Sequence, residues 1–141
     1  MTELSSDLIH ASCVVIAGRA ALLAGRSGIG KSDLALRLID RGAALVSDDY
    51  SELRRRDGRL YASPPSNIAG KIEVRGIGIV EMPYLEEAEV ALYVDLDSPP
   101  VRMPEFQTRR LAGVDIREVA LAALEPSTPV KLEILMRSLA Q

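Results

Sequence analysis

The sequence predicts an α/β fold, a strand-rich mixed sheet with two principal helices. Three observations predict it. The stretch "IHASCVVIAGRAALLAG" holds short apolar runs about a glycine turn, "GRSGIGKSDLALRLIDRG" joins a glycine loop to helical spacing, and "STPVKLEILMRSLAQ" carries a second helical stripe. A chain of 141 residues has the usual size of one domain, so a single domain over residues 1–141 is expected.

Taken in order, residues 9 to 17 and 20 to 24 read as two apolar strands turned at Gly18 and Arg19. From Gly30 to Arg41, Leu34, Ala35, Leu38 and Ile39 fall on one helical face, Asp33, Arg37, Asp40 and Arg41 on the other, and Gly42 supplies a stop. "AALVS" is a buried strand ending at Asp48 and Asp49. "YSELRRRDGRLYAS" is a hairpin turned at Asp57-Gly58, "PPSNIAGK" a loop, "IEVRGIGIVEM" extended with a break at Gly76, and "EVALYVDL" a strand closed by Ser98-Pro99-Pro100. "FQTRRLAGVDIREVALAAL" reads as two strands, with helix as the alternative for its second half. At the C-terminus Thr128 is placed as a helix cap with Pro129 at the first position, and Leu132, Leu135, Met136 and Leu139 form the buried stripe.

Composition limits the function classes. With 48% hydrophobic residues, 26% charged residues and a net charge of -3, the chain reads as globular and lacks the global positive field that holds nucleic acid. The single cysteine, Cys13, lies in "CVVIA" and reads as a buried inert thiol, as expected of a cytoplasmic protein. No run of about 18 apolar residues or signal-like N-terminus predicts membrane insertion or export. The arginines at positions 54 to 56 and Arg59 read as a solvated hairpin tip, with steering of an acidic partner as the alternative.

Gly25, Arg26, Ser27, Gly28, Ile29, Gly30, Lys31 and Ser32 satisfy G-x-x-x-x-G-K-[ST]. Glycines let successive backbone N–H groups approach phosphate oxygens, and the following helix presents its positive dipole end. Lys31 can neutralise the outer phosphates, and the Ser32 hydroxyl can ligate magnesium. The motif follows a predicted strand and opens a predicted helix, the context that this chemistry needs.

Asp48 and Asp49 close the next strand. In a doubly wound sheet that position faces the ligand, which brings them towards Ser32. Adjacent ionised carboxylates repel each other, so a cation beside them is expected. Neighbours in extended structure point apart, which predicts a division of labour: one holds the metal shell, the other accepts a proton from an attacking hydroxyl. The alternative is an Asp-Asp turn before the hairpin.

These residues resemble the catalytic domain of the HPr kinase/phosphorylase family. The likeness runs from His10 to about Leu96 in "IHASCVVIAGRAALLAG", "GRSGIGKS", "LALRLIDRGAALVSDD" and "KIEVRGIGIVEM". It implies a phosphate-loop, kinase-like fold and an ATP- and Mg2+-dependent serine kinase, with pyrophosphate as the other donor. The implied acceptor is an HPr-like phosphocarrier protein, and the implied assembly a hexamer. The reverse phosphorylase activity also belongs to the family.

Carried over, Lys31 contacts phosphate, Ser32 and Glu73 serve the metal, Asp49 is base and acid, Asp48 supports metal and base, and His10 lies at the site's edge, with a structural or merely exposed histidine as the alternative. Arg75, Gly76 and Gly78 of "EVRGIGI" shape the substrate side, with a plain strand-edge ion pair as the alternative for Glu73 and Arg75. Arg110 matches the downstream catalytic arginine, with Arg109 as the other candidate. The chain looks like a short form without the family's N-terminal domain. Arg26 stands where the family commonly has an acid, Ala11 where it has glycine, and "LEPSTPVK" where it has a Pro-Gly-Arg segment tied to dephosphorylation. A small-molecule kinase and a non-catalytic nucleotide sensor are the competing functions. A switch GTPase is disfavoured, because no Asn-Lys-x-Asp segment appears.

Overall fold

A computed structural model describes residues 6–140. The first five residues, part of the stretch read for a targeting signal, and Gln141 lie outside the described residues. The order is β1 (Ser6–Ile9), β2 (Ala11–Ile16), β3 (Arg19–Ala24), α1 (Lys31–Asp40), β4 (Ala44–Ser47), β5 (Ser51–Arg56) and β6 (Arg59–Ser63). Then come β7 (Lys71–Val74), β8 (Gly78–Glu81), β9 (Ala88–Asp95), β10 (Gln107–Leu111), β11 (Val114–Ala120) and α2 (Thr128–Leu139).

Nine strands form the main sheet, in the order β1-β5-β6-β9-β3-β2-β4 with β11 and then β10 branching from β9, while β7 and β8 form a separate hairpin. Along β3 the side chains alternate: Ala21 and Leu23 enter a core shared with Leu34, Ala35 and Leu38 of α1 and Leu132 and Met136 of α2. Ala20, Leu22 and Ala24 face the other way, where Leu53, Leu60 and Ala62 of the β5–β6 hairpin fold back onto β2 and β3. Cys13 is buried in that second core, and burial pushes its thiol pKa up. No described helix is long and apolar enough to cross a membrane.

One consequence of the pairing positions the site. β2 runs antiparallel to both β3 and β4, so β3 and β4 point the same way, and β9 pairs in parallel with β3. The carboxyl ends of β3, β4 and β9 therefore share one sheet edge, along with the amino end of β2. The expected strand-rich mixed sheet with two helices is what forms; among the described residues it is not doubly wound, since α1 and α2 pack in the same core, and antiparallel pairing delivers the convergence that the doubly wound rule led us to expect at the end of β4.

Several boundaries differ from the expectation. The first predicted strand divides at His10 because Ile9 pairs with Ser51 of β5 while Ala11 pairs with Ala24 of β3. The helix cap is Ser127, not Thr128; Thr128 is the first helical residue and its hydroxyl donates to the Ala122 carbonyl. The segment around Gly76 is a hairpin, with Gly76 at φ +90° in its turn and Val74 opposite Gly78. The second half of "FQTRRLAGVDIREVALAAL" is strand, held on β9 by parallel pairing from Arg117 to Ala120.

Candidate active site

The glycine loop spans the short gap between β3 and α1. Gly30 caps the helix at φ +113°, a backbone state that glycine adopts freely, and Leu34 N–H bonds its carbonyl at 2.9 Å. At Gly25 a side chain would meet Ile29 Cγ2 at 2.8 Å, so the loop closes only around a bare Cα. Lys31 is almost fully buried; its ammonium donates to the carbonyls of Gly25 (2.8 Å) and Arg26 (3.1 Å) and lies 3.6 Å from Asp49 Oδ1.

Asp48 is the hub. Its Oδ1 accepts hydrogen bonds from Ser32 Oγ of α1 at 2.6 Å and Ser12 Oγ of β2 at 3.0 Å, and its Oδ2 accepts from the Glu73 amide of β7 at 3.0 Å. A buried carboxylate needs such partners, because an uncompensated charge in the interior is far too costly. Asp49 goes elsewhere. It sits at φ +69° in a tight turn closed by Tyr50 N–H onto the Asp48 carbonyl at 2.7 Å. Its own amide donates to Ser12 Oγ at 2.9 Å, so one hydroxyl braces both acids. The turn sends the Asp49 carboxylate to His10 Nε2, 2.7 Å away, and to Lys31. The two carboxylates diverge, but through this turn rather than through strand alternation: β4 ends at Ser47, so neither acid lies within the strand.

Other predicted residues fall into place around this centre. Ser27, Gly28, Gly30, Lys31, Ser32, Asp49, Glu73 and Arg75 line one cleft of about 380 Å³, which Leu36 and Leu124 wall on the apolar side. Glu73 lies on β7 and Arg75 just past its end in the hairpin turn, and Val74 between them lines the same cleft, so it is the turn rather than a shared strand face that brings both there. Gly76 and Gly78, at φ +90° and +119°, turn the hairpin that carries both. Arg26 points to the outer side of the loop and pairs with Asp97 at 2.9 Å. Arg110 is not brought to the cleft: on β10 it pairs with Asp115 at 2.9 Å. Arg109 pairs with Glu118, lies over the Tyr93 ring, and lines a second hollow with His10 and Arg26.

The sequence reading missed Ser12, Tyr50, Asp97 and Arg37. Ser12 was visible only as a lone hydroxyl inside an apolar strand. Asp97 takes the Arg26 amide on both oxygens at 3.1 Å, tying the end of β9 to the loop across 71 residues. Arg37 holds the segment after β11 against α1 through the Ala123 and Glu125 carbonyls.

Among the described residues, no group of three or more His, Cys, Asp or Glu side chains forms a metal cluster. The donors that do exist are all hard oxygen: Ser32 and Glu73 line the cleft, and the buried Asp48 carboxylate lies behind Ser32 rather than on the cleft wall. That fits magnesium, which takes one or two protein carboxylates and completes its shell with phosphate and water.

A glycine loop between strand and helix, with two carboxylates at the same sheet edge, defines the class: an α/β domain of the phosphate-loop kind. More particularly, the chain belongs to the HPr Serine kinase C-terminal domain family, whose profile matches residues 3–97. It is similar to the HPr kinase/phosphorylase of Clostridium botulinum (strain Eklund 17B / Type B), 41% identical over 96 residues, covering 63% of this chain and 32% of that protein. The HPr kinase/phosphorylase of Geobacillus kaustophilus (strain HTA426) is 36% identical over 137 residues, covering 92% of this chain and 42% of that protein. The solved structure of the Hpr(Ser) kinase/phosphatase from Coxiella burnetii superposes with a TM-score of 0.82 at 32% identity, over 94% of this chain and 95% of that one. The chain thus spans about a third of the length of the first of these relatives.

Proposed function

We propose that this chain is the catalytic domain of an ATP- and Mg2+-dependent serine kinase that phosphorylates an HPr-like phosphocarrier protein. It would work as a single domain in the cytoplasm and assemble as a homo-oligomer, a hexamer as in the family it resembles. One juxtaposition carries the proposal: Lys31 and Asp49 lie 3.6 Å apart at the mouth of the loop while Ser32 and Asp48 meet at 2.6 Å behind them.

The loop amides and the positive end of α1 receive the outer phosphates, and Lys31 leaves its two carbonyl partners to meet their charge. Ser32, Asp48 and Glu73 would hold magnesium, which neutralises charge between the β- and γ-phosphates when bound. The acceptor serine enters over Asp49. Its oxygen forms the new bond to the γ-phosphorus, its proton passes to the Asp49 carboxylate, and the bond to the β-phosphate oxygen breaks to release ADP. Positioning and electrostatics supply most of the acceleration. Arg75, at the cleft's outer wall, is placed to meet the acceptor or its phosphate. For the family's downstream arginine, Arg109 is better placed than Arg110, because it adjoins His10 and Arg26.

The test is direct. Purified protein, labelled ATP and magnesium are incubated with HPr-like proteins, and phosphoserine is sought on the acceptor. Label on serine supports the proposal. Tight ATP binding without transfer to any acceptor returns the nucleotide-sensor alternative, and turnover of a metabolite without HPr labelling returns the small-molecule kinase. Replacing ATP by pyrophosphate, and adding inorganic phosphate to phosphorylated HPr, reports the second donor and the reverse reaction.

A further inference from the structure

We propose that Tyr50 is a positioning residue: its ring fixes the plane of His10, and His10 in turn fixes which oxygen of Asp49 faces the acceptor. This rests on the kinase reading of Asp49 and extends it to a residue outside the loop and the acid pair. The Tyr50 and His10 rings lie with centroids 4.7 Å apart and planes 15° from parallel, an offset stack. His10 Nε2 is 2.7 Å from Asp49 Oδ1, so in the neutral ring Nε2 carries the proton.

The χ2 torsion of histidine is intrinsically broad, so an unsupported imidazole swings away from such a bond. A stacked neighbour stops that swing. Tyr50 is itself tied down, because its N–H closes the turn onto the Asp48 carbonyl and its own carbonyl accepts the Ser47 hydroxyl. The described contacts from His10 and Lys31 both fall on Asp49 Oδ1. Oδ2 is left as the oxygen that takes the serine proton. Because Tyr50 is 42% exposed, trimming its ring opens no cavity in the core.

His10 is the chain's only histidine, so its ring nitrogens can be followed by nitrogen-15 NMR without assignment ambiguity. Wild type and Tyr50→Phe should both show an Nε2 proton shifted downfield by its bond to the Asp49 carboxylate and protected from exchange; in Tyr50→Leu that proton should exchange rapidly with solvent. In phosphotransfer, Tyr50→Leu should lower kcat about 3- to 10-fold, the range expected for losing one stacked pair, with the KM for ATP within about twofold. Tyr50→Phe should restore the rate. Should the Tyr50→Leu variant fold poorly, Tyr50→Thr carries the same expectations. An unchanged Nε2 proton resonance in the aliphatic variant overturns the proposal, as does a Tyr50→Phe variant as slow as Tyr50→Leu. If no acceptor is ever phosphorylated, the kinase reading fails, yet the NMR comparison still decides whether Tyr50 holds His10.

Discussion

Replacing Ser12 by alanine tests the hub at its least obvious point. Ser12 is fully buried, and its hydroxyl donates to Asp48 Oδ1 at 3.0 Å while accepting the Asp49 amide at 2.9 Å. Removing it takes one donor from a buried carboxylate, a bond to a charged group contributing about 1.5–3 kcal/mol. It also orphans an N–H at a strained turn, which costs about 1–3 kcal/mol. The two losses share one oxygen and do not simply add. A destabilisation of about 2–4 kcal/mol follows, or roughly 4–15 °C in Tm for a domain of this size. The chain has no tryptophan, so urea unfolding is best followed by far-ultraviolet circular dichroism. Phosphotransfer should fall with stability, since the turn that aims Asp49 loses its brace. Ser12→Cys, with a weak S–H donor, should lie between. A urea midpoint that moves by less than about 0.5 kcal/mol equivalent in Ser12→Ala, with full activity, would refute the bracing argument.

Four other perturbations follow from the same contacts. Asp49→Asn should keep ATP binding by calorimetry and lose phosphotransfer by about 10²- to 10⁴-fold, the usual contribution of a positioned base. Asp48→Asn should turn an amide N–H towards either the Ser32 hydroxyl or the Glu73 amide, weaken magnesium dependence, and speed hydrogen exchange in the β7–β8 hairpin. Gly30→Ala puts a Cβ 3.0 Å from Leu124 Cδ2 at φ +113°, so it should destabilise by about 1–2 kcal/mol and weaken ATP binding in calorimetry. Acid should destabilise the fold through Glu133 and Asp95. Arg41 holds Glu133 below the usual carboxylate range; at Asp95 burial pushes upwards, but the Ser98 hydroxyl and the Asp97 and Ser98 amides outweigh it. Their folded pKa values lie below the unfolded values of about 4, so this stabilisation is complete above about pH 5 and lost as pH falls through the folded values. Glu133→Gln should flatten that part of the stability profile measured by urea unfolding.

The elements with strong local signals were legible in the sequence. The glycine loop, the α1 stripe, the Asp57-Gly58 hairpin and the α2 stripe all rest on contacts within a few residues. What escaped depends on pairing at long range. Nothing near His10 announces a strand break; Ile9 and Ala11 simply join partners in different parts of the sheet, Ser51 and Ala24. Likewise a Thr-Pro pair reads as a cap by its chemistry, but the Thr128 hydroxyl is drawn to Ala122 in the loop packed beneath the helix, and the helix starts one residue early.

At the site, the residues proposed to bear the chemistry were visible and those that position them were not, for a physical reason. Phosphate and metal chemistry demand particular groups at fixed spacing, so Lys31, Ser32 and the acid pair stand out in one dimension. Aiming demands only a hydroxyl, a ring or a carboxylate in the right place, and many segments can supply one. Ser12 meets Asp48 across 36 residues and Arg26 meets Asp97 across 71, separations that carry no local pattern. Yet the aiming contacts are also folding contacts. A buried Asp48 must be satisfied, and satisfying it pins α1, β2 and β7 to the end of β4. The requirement that keeps this carboxylate from being an isolated buried charge therefore also sets the distance between the loop and the hairpin that faces it. Stability and alignment are coupled through one side chain, which is why substitutions around Asp48 should move both together while those at the exposed Tyr50 ring should move alignment alone.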